Sequence, residues 1–143
     1  MILCDVNVLL YAFRRDSAEH AEYRRWLVER LEADESYGVS ELVLSSLIRI
    51  ATHPRVYARP STLRESLAFA AALRDRSNAV LVAPGPRHWN IFERLCTESG
   101  ARGNLVPDAY HAALAIESGS EWITTDRDYG RFPGLRCRHP LAG

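Results

Sequence analysis

The sequence predicts an α/β fold in which a mostly parallel central sheet carries helices on both faces. Short apolar segments typical of strands alternate along the 143 residues with segments whose apolar side chains recur at helical spacing. This alternation is typical of a parallel sheet covered by helices. Hydrophobic residues make up 47% of the chain and charged residues 25%. These values fit one folded domain over residues 1–143 and argue against disorder.

The first 40 residues predict two strands separated by two helices. Residues 1–5 form a short apolar strand, and NVLLYAFRR at 7–15 forms a short helix. Ser17 is the predicted N-cap of the second helix. One face of that helix carries a set of apolar residues at helical spacing: Tyr23, Leu27 and Leu31. SYGVS at 36–40 is the second strand.

Two capped helices and a buried strand are predicted next. Ser40 caps a helix that must stop before Pro54, because the residue before a proline is disfavoured in a helix. Its apolar residues are Val43, Leu44, Leu47, Ile48 and Ala51. Thr62 and Glu65 match a capping box at the start of another helix. That helix bears Leu63, Leu67, Ala70 and Ala71. The unbroken apolar run NAVLVAP at 78–84 predicts a buried strand.

The last third of the chain predicts two helices, a strand and a short tail. A helix runs from about residue 87 to 99, and its inward residues are Ile91, Phe92, Leu95 and Cys96. The glycine loop GARGNLVP leads to a helix that starts at Asp108 and ends near Gly119, a residue suited to follow a helix. EWITTD at 121–126 is the next strand. The tail at 127–141 is predicted to hold a loop and one last strand.

Composition excludes several classes of protein. No apolar run approaches the roughly 20 residues of a membrane span, and the N-terminus lacks the basic region and cleavage site of a signal peptide. We therefore expect a cytoplasmic protein with no membrane partner. The three cysteines show no CxxC spacing, which predicts buried thiols in a reducing compartment and neither a disulfide framework nor a zinc site.

The charge of the chain is balanced, with 18 basic and 18 acidic residues. A net charge of zero does not indicate a protein that binds DNA directly, and we expect no direct DNA binding by this chain. All the basic residues are arginine. Arginine suits bidentate phosphate contacts. A GC-rich genome explains the same bias more simply, so the arginines only permit a nucleic-acid substrate.

Four acids fall at strand ends or helix starts. Asp5 ends the first strand, Glu41 opens the helix after the second, Asp108 begins a late helix and Asp126 ends EWITTD. In an open parallel sheet these positions share one edge, where ligands bind. Clustered carboxylates repel one another unless a cation is present, and carboxylate oxygens without Cys or paired His favour Mg²⁺ or Mn²⁺. This arrangement suits metal-assisted phosphodiester hydrolysis.

Each of these acids also has a simpler interpretation. Asp5 can cap the following helix. Glu41 and Asp108 can be ordinary first-turn acids that favour the helix dipole. Asp126 can be a turn residue, and Asp128 competes with it for any role there. The case for a site therefore rests on all four acids reaching one edge.

Other residues are better explained by packing. The five histidines show no H-E-x-x-H motif, and His111 is interpreted as a packing or surface residue. Trp89 and Trp122 fall in elements predicted to face the core. The first two helices look too apolar for one domain to bury entirely, so we expect part of them to meet a partner protein or a second subunit. The residues concerned are Val8, Leu9, Tyr11, Trp26 and Leu27.

Three longer segments resemble the PIN-domain family, and more narrowly the VapC-type toxin ribonucleases of bacterial toxin–antitoxin systems. They are CDVNVLLYAF, SELVLSSLIRIATHPRVY and GNLVPDAYHAALAIESGSEWITTDRDYGRFPGL. The resemblance covers essentially the whole chain. Its most specific part is an acid opening an Ala-rich helix, then a glycine, then an apolar strand ending in TTD. It implies a single PIN-like domain built as a three-layer α/β/α sandwich.

The resemblance implies roles for the acids. Asp5 and Asp108 would bind Mg²⁺ or Mn²⁺ directly, and Glu41 and Asp126 would complete the quartet by binding a second ion or orienting the attacking water. Supporting roles beside the metal would fall to Asn7, Thr125 and Asp128. The family implies cleavage of tRNA or rRNA, a homodimer, and a small VapB-type antitoxin whose C-terminal segment blocks the active site.

Two other classes of function are weighed against a ribonuclease. The first is a non-catalytic binding protein on the same scaffold, with its acids serving only as helix caps. The second is a phosphotransfer domain, which would need a D-x-D opening or a phosphoacceptor aspartate after a central strand. The sequence opens with Asp5-Val6-Asn7 instead, which argues against phosphotransfer.

Overall fold

The computed structural model describes residues 1–142 and has a five-stranded sheet at its centre. All neighbouring strands are parallel, and their order across the sheet is β3-β2-β1-β4-β5. The strands are short: β1 Ile2–Cys4, β2 Tyr37–Val39, β3 Ala79–Leu81, β4 Glu121–Ile123 and β5 Cys137–Arg138. The predicted parallel sheet is confirmed.

Six helices connect these strands, and a short 3₁₀ helix at Arg127–Arg131 follows β4. The helices are α1 Val6–Phe13, α2 His20–Glu32, α3 Glu41–Ala51, α4 Leu63–Arg74, α5 His88–Ser99 and α6 Leu105–Ser118. α1 packs against α2 and α3, α3 packs against α4, and α5 packs against α6. Right-handed crossovers place the first four helices on one face and the last two on the other. The predicted α/β/α layering is confirmed.

The order of the strands creates a switch point beside β1. From β1 the chain moves outward through β2 to β3, then returns across the opposite face and places β4 on the other side of β1. The connections therefore diverge at the carboxyl ends of β1 and β4, and ligands of open α/β sheets bind at such a crevice. Asp5 follows β1 and Asp126 lies shortly after β4.

Most of the predicted helix ends are confirmed. The side chains of Asp5, Ser40 and Thr62 accept hydrogen bonds from backbone N–H groups at the starts of α1, α3 and α4. Gly119 ends α6 in the left-handed region, with φ of 70°. The prediction for Ser17 is wrong, because residues 17–19 form a turn in which the Ser17 carbonyl accepts from His20 N.

The strand predicted within residues 78–84 is present, but the prediction that it is buried is wrong. β3 is an edge strand, and the side chains of Val80 and Leu81 are exposed. An unbroken apolar run indicates burial on both faces only when the strand has neighbours on both sides. The adjacent α4 likewise leaves Leu63 and Leu67 exposed and turns Ala70 and Leu73 inward.

The structure confirms the predicted burial of Trp122 and contradicts that of Trp89. Trp122 is fully buried and stacks on His111, which confirms the packing interpretation of that histidine. Trp89 is 57% exposed. It lies one position away from the buried stripe of α5, which contains His88 and Leu95, so the prediction that Trp89 faces the core is wrong.

Two further predictions about burial are wrong. Four of the apolar residues in the first two helices are buried where α1 and α2 pack together, so the fold itself accounts for them: Val8, Leu9, Trp26 and Leu27. Cys137 is exposed because β5 is an edge strand, whereas Cys4 and Cys96 are partly buried. Within residues 1–142, no helix combines the length and apolar character needed to cross a bilayer.

Candidate active site

Asp5 lies at the carboxyl end of β1 and is almost fully buried. Its Oδ1 accepts from Val6 N at 2.7 Å, and its Oδ2 accepts from the Thr124 hydroxyl at 2.7 Å. The side chain therefore caps α1 and also reaches the end of β4. The pKa of Asp5 is raised to about 6, mainly because the side chain is buried and also because the carboxylates of Asp108 and Asp126 are nearby, whereas its two hydrogen bonds act in the opposite direction.

Thr124 joins two of the acids. Its hydroxyl donates to Asp5 Oδ2 and accepts from Asp126 N at 3.0 Å. The resemblance implied Thr125 for this role, but among residues 1–142 no hydrogen bond of the Thr125 hydroxyl is found. Strand periodicity does not separate the two, because the residues two positions before Thr124 and Thr125, Trp122 and Ile123, are both fully buried. The supporting role of Thr125 stays a prediction.

Asp108 lies in the first turn of α6, which begins at Leu105, three residues earlier than predicted. Pro107 fits there because an N–H in the first turn has no partner within the helix. The Tyr129 hydroxyl donates to Asp108 Oδ1 at 3.2 Å. Burial raises the pKa of Asp108, and the carboxylates of Asp126 and Asp128 raise it further.

Tyr129 was not identified from the sequence. Its ring is buried against Trp122 and Phe132, so a packing role hid its hydroxyl. Burial and the nearby carboxylates of Asp5 and Asp108 raise the pKa of Tyr129 far above its usual range. The hydroxyl therefore stays protonated and remains a donor at neutral pH.

Asp126 and Asp128 lie beyond β4, which ends at Ile123. Asp126 Oδ1 accepts from Asp128 N at 2.9 Å. Both side chains line an open groove with Asp108, and two arginines also line that groove, Arg102 and Arg131. The site is accessible to a large anionic substrate, and its rim carries positive charge.

Glu41 and Asn7 are placed differently from these acids. Glu41 opens α3 as predicted, but its side chain is largely exposed and its Oε2 accepts from Arg74 Nε at 3.0 Å. The carboxylates that raise the pKa of Asp5 are those of Asp108 and Asp126. Asn7 Oδ1 is buried and has no hydrogen-bond partner among residues 1–142.

The structure therefore brings three of the four predicted acids together. Thr124 joins Asp5 to Asp126 by hydrogen bonds, and Asp108 is close enough for its charge to raise the pKa of Asp5. Within residues 1–142, no three His, Cys, Asp or Glu side chains are placed so that they could already hold a metal ion together. The arrangement is an acidic pocket whose charge favours a proton or a cation.

Replacing Thr124 with valine tests how Asp5 is positioned. T124V keeps the shape of the side chain and removes both hydrogen bonds of the hydroxyl, so we expect the single-turnover rate constant of the reaction at this site to fall about 10- to 100-fold. T125V is the matched control, and we expect its rate constant to be at least about tenfold higher than that of T124V. Single-turnover kinetics of the two variants measures both rate constants. Equal losses would contradict the assignment of Thr124.

Comparisons with known proteins show the family to which the chain belongs. The family model of the PIN domain matches residues 2–135. The chain is 41% identical over 143 residues to a VapC ribonuclease of Mycobacterium bovis, with 100% of this chain and 97% of that protein covered. It is 38% identical over 140 residues to Ribonuclease VapC25 of Mycobacterium tuberculosis, with 98% and 99% covered.

Solved structures share the fold at low sequence identity. VapBC2 from Rickettsia felis, bound to a DNA fragment from its promoter, aligns with a TM-score of 0.72 and 17% identity over 97% of this chain and 98% of that one. VapC20 of Mycobacterium tuberculosis, a toxin that cleaves the sarcin–ricin loop, aligns with a TM-score of 0.65 and 19% identity over 95% and 99%. The chain belongs to the PIN-domain family and, within it, to the VapC ribonucleases.

Proposed function

We propose that this chain is the toxin of a toxin–antitoxin system and that it hydrolyses RNA phosphodiester bonds internally with the help of Mg²⁺ or Mn²⁺. The observation that supports this best is the convergence of Asp5, Asp108 and Asp126 at the switch point of the sheet. Similarity to named VapC ribonucleases over the full chain supports the same reaction. We propose one PIN-like domain spanning residues 1–143.

The donor set fits a hard divalent cation. The pocket offers carboxylate oxygens, and the raised pKa values of Asp5 and Asp108 reflect burial and repulsion that a cation would offset. Mg²⁺ is commonly held by one or two carboxylates and several waters, so a complete protein cage is not required. When bound, Mg²⁺ lowers the pKa of a water and offsets negative charge developing on the phosphate.

The residues of the chain hold the reacting groups in place. Asp5 and Asp108 would bind the cation, and Thr124 and Tyr129 keep those carboxylates oriented through their hydroxyl groups. Asp126 engages Oδ1 with Asp128 N, which leaves Oδ2 to accept a proton from the attacking water. Glu41 would join only after leaving Arg74.

The neighbours support an antitoxin partner, and the family resemblance implies an RNA substrate and a homodimer. Solved structures that share the fold include VapBC assemblies, and we propose a small VapB-type antitoxin that closes the acidic pocket, together with a homodimeric toxin. The substrate class is structured cellular RNA, tRNA or rRNA. The neighbour described as cleaving the sarcin–ricin loop is an example of a toxin with such a target.

Metal-dependent cleavage is the direct test. Purified protein is expected to cut mixed tRNA and rRNA in Mg²⁺ or Mn²⁺, and EDTA is expected to abolish cutting because the carboxylates alone leave the developing phosphate charge unbalanced. Gel analysis of the fragments, with metal restored after EDTA as the control, measures this. Cutting that survives EDTA would contradict the role of the metal. No cutting in either metal would contradict the proposal and favour the non-catalytic binding protein.

A further inference from the structure

Two open grooves meet at Asp126. The acidic groove is lined by Asp108, Asp126 and Asp128, with Arg102 and Arg131. The basic groove begins at the same residue and contains Arg127, Arg138 and His139. Asp126 lines both grooves, so a bound chain passing over it would enter one groove on each side.

The basic groove contains one arginine whose guanidinium is not paired within the described residues. Arg138 donates to Glu121, and the Nδ1 of His139 accepts from Leu141 N. Arg127 is exposed, and within residues 1–142 its guanidinium has neither an ion pair nor a hydrogen bond. It directly follows Asp126 in the chain. A free guanidinium therefore lies beside the acidic pocket, where no structural carboxylate neutralises it.

We propose that the RNA strand lies across both grooves and that Arg127 binds a phosphate flanking the cleaved linkage. This inference rests on the proposed ribonuclease function and adds the path of the substrate. A guanidinium matches a phosphate with two parallel hydrogen bonds. An RNA strand carries such a phosphate at every linkage, so a strand centred on Asp126 places one in the basic groove. The substrate must then continue on both sides of the cut.

A binding measurement tests this without cleavage. Asp108→Asn protein is titrated into a fluorescein-labelled single-stranded oligoribonucleotide of about 20 nucleotides, long enough to fill both grooves. Adding R127A is expected to weaken binding about tenfold. The slope of log affinity against log salt should become about 0.7 less negative, as for the loss of one phosphate contact in a single strand.

Arg64→Ala is the matched control, because Arg64 is an exposed arginine on α4, which packs against the opposite edge strand. It should leave both quantities unchanged. Neutral methylphosphonate linkages placed singly along the RNA then locate the contact. One position should weaken binding to Asp108→Asn protein and have no further effect when Arg127 is also replaced.

The results separate this inference from the proposed function. If R127A binds the RNA with unchanged affinity and salt slope, the proposed path of the RNA strand is wrong, even if the wild-type protein cleaves RNA. If no methylphosphonate position depends on Arg127, the phosphate contact is overturned, and an acidic peptide becomes the better ligand for the groove. Failure of wild-type cleavage would contradict the function, whereas the binding result would still stand on its own.

Discussion

Replacing Asp108 with asparagine is expected to reduce RNA cleavage by more than about 100-fold while the protein stays folded. Loss of a group that only supports a metal ligand costs about 10- to 100-fold, and loss of a ligand itself should cost more. The amide oxygen of the substituted side chain can still accept from the Tyr129 hydroxyl, so the contact at the start of α6 is kept. Multiple-turnover kinetics on a defined RNA measures the effect.

The thermal midpoint provides a second readout on the same variant. The charge of Asp108 is opposed by Asp126 and Asp128, so its removal should leave the midpoint of metal-free protein unchanged or raise it. Asp34→Asn is the control, because Asp34 is exposed in the loop before β2. Cleavage by D108N within about threefold of wild type would contradict the role of Asp108.

Replacing Trp122 with alanine is expected to cost about 3–5 kcal/mol of unfolding free energy. Trp122 is fully buried, and its ring centroid lies 5.5 Å from that of His111 and 5.4 Å from that of Tyr129. A loss of this size is a large part of the about 5–15 kcal/mol that stabilises a typical domain. Urea denaturation followed by circular dichroism measures it.

Trp89→Ala is the matched control for this loss. Trp89 is exposed and its indole N–H donates to Glu93 Oε1 at 2.7 Å, so its removal should change stability by no more than about 0.5 kcal/mol. Similar losses in the two variants would mean that the packing around Trp122 does not support the site. Trp122 lies between α6 and the 3₁₀ helix, which carry Asp108 and Asp128.

The convergence of the acids could be predicted because it follows from the fold class. Once the strands are taken as parallel, Asp5 and Asp126 must reach one edge of the sheet, and the position of β4 beside β1 brings them together. The presence of Asp108 at the same edge follows from its position in the first turn of a helix. These predictions need only element order and polarity, which hydrophobic periodicity reports well.

The details that sequence could not predict depend on contacts between distant elements. Thr124 rather than Thr125 reaches Asp5 because of the register between β1 and β4. Glu41 pairs with Arg74, 33 residues away, because α3 packs against α4. Val80 and Leu81 are apolar but exposed because their strand lies at an edge of the sheet. In each case local patterns were the same for either outcome.

Calorimetric titration of Mg²⁺ at pH 7.5, 6 and 5 tests whether Asp5 and its neighbouring acids form a cation site. Asp5 has a pKa of about 6, so it is largely ionised at pH 7.5 and must lose a proton to bind metal at pH 5. Affinity should therefore fall only about twofold between pH 7.5 and pH 6, and about five- to tenfold between pH 6 and pH 5. Asp5→Asn should bind Mg²⁺ weakly and show a shallower dependence on pH. Equal affinity in wild type and Asp5→Asn, or an affinity that does not change with pH, would contradict a cation site at Asp5.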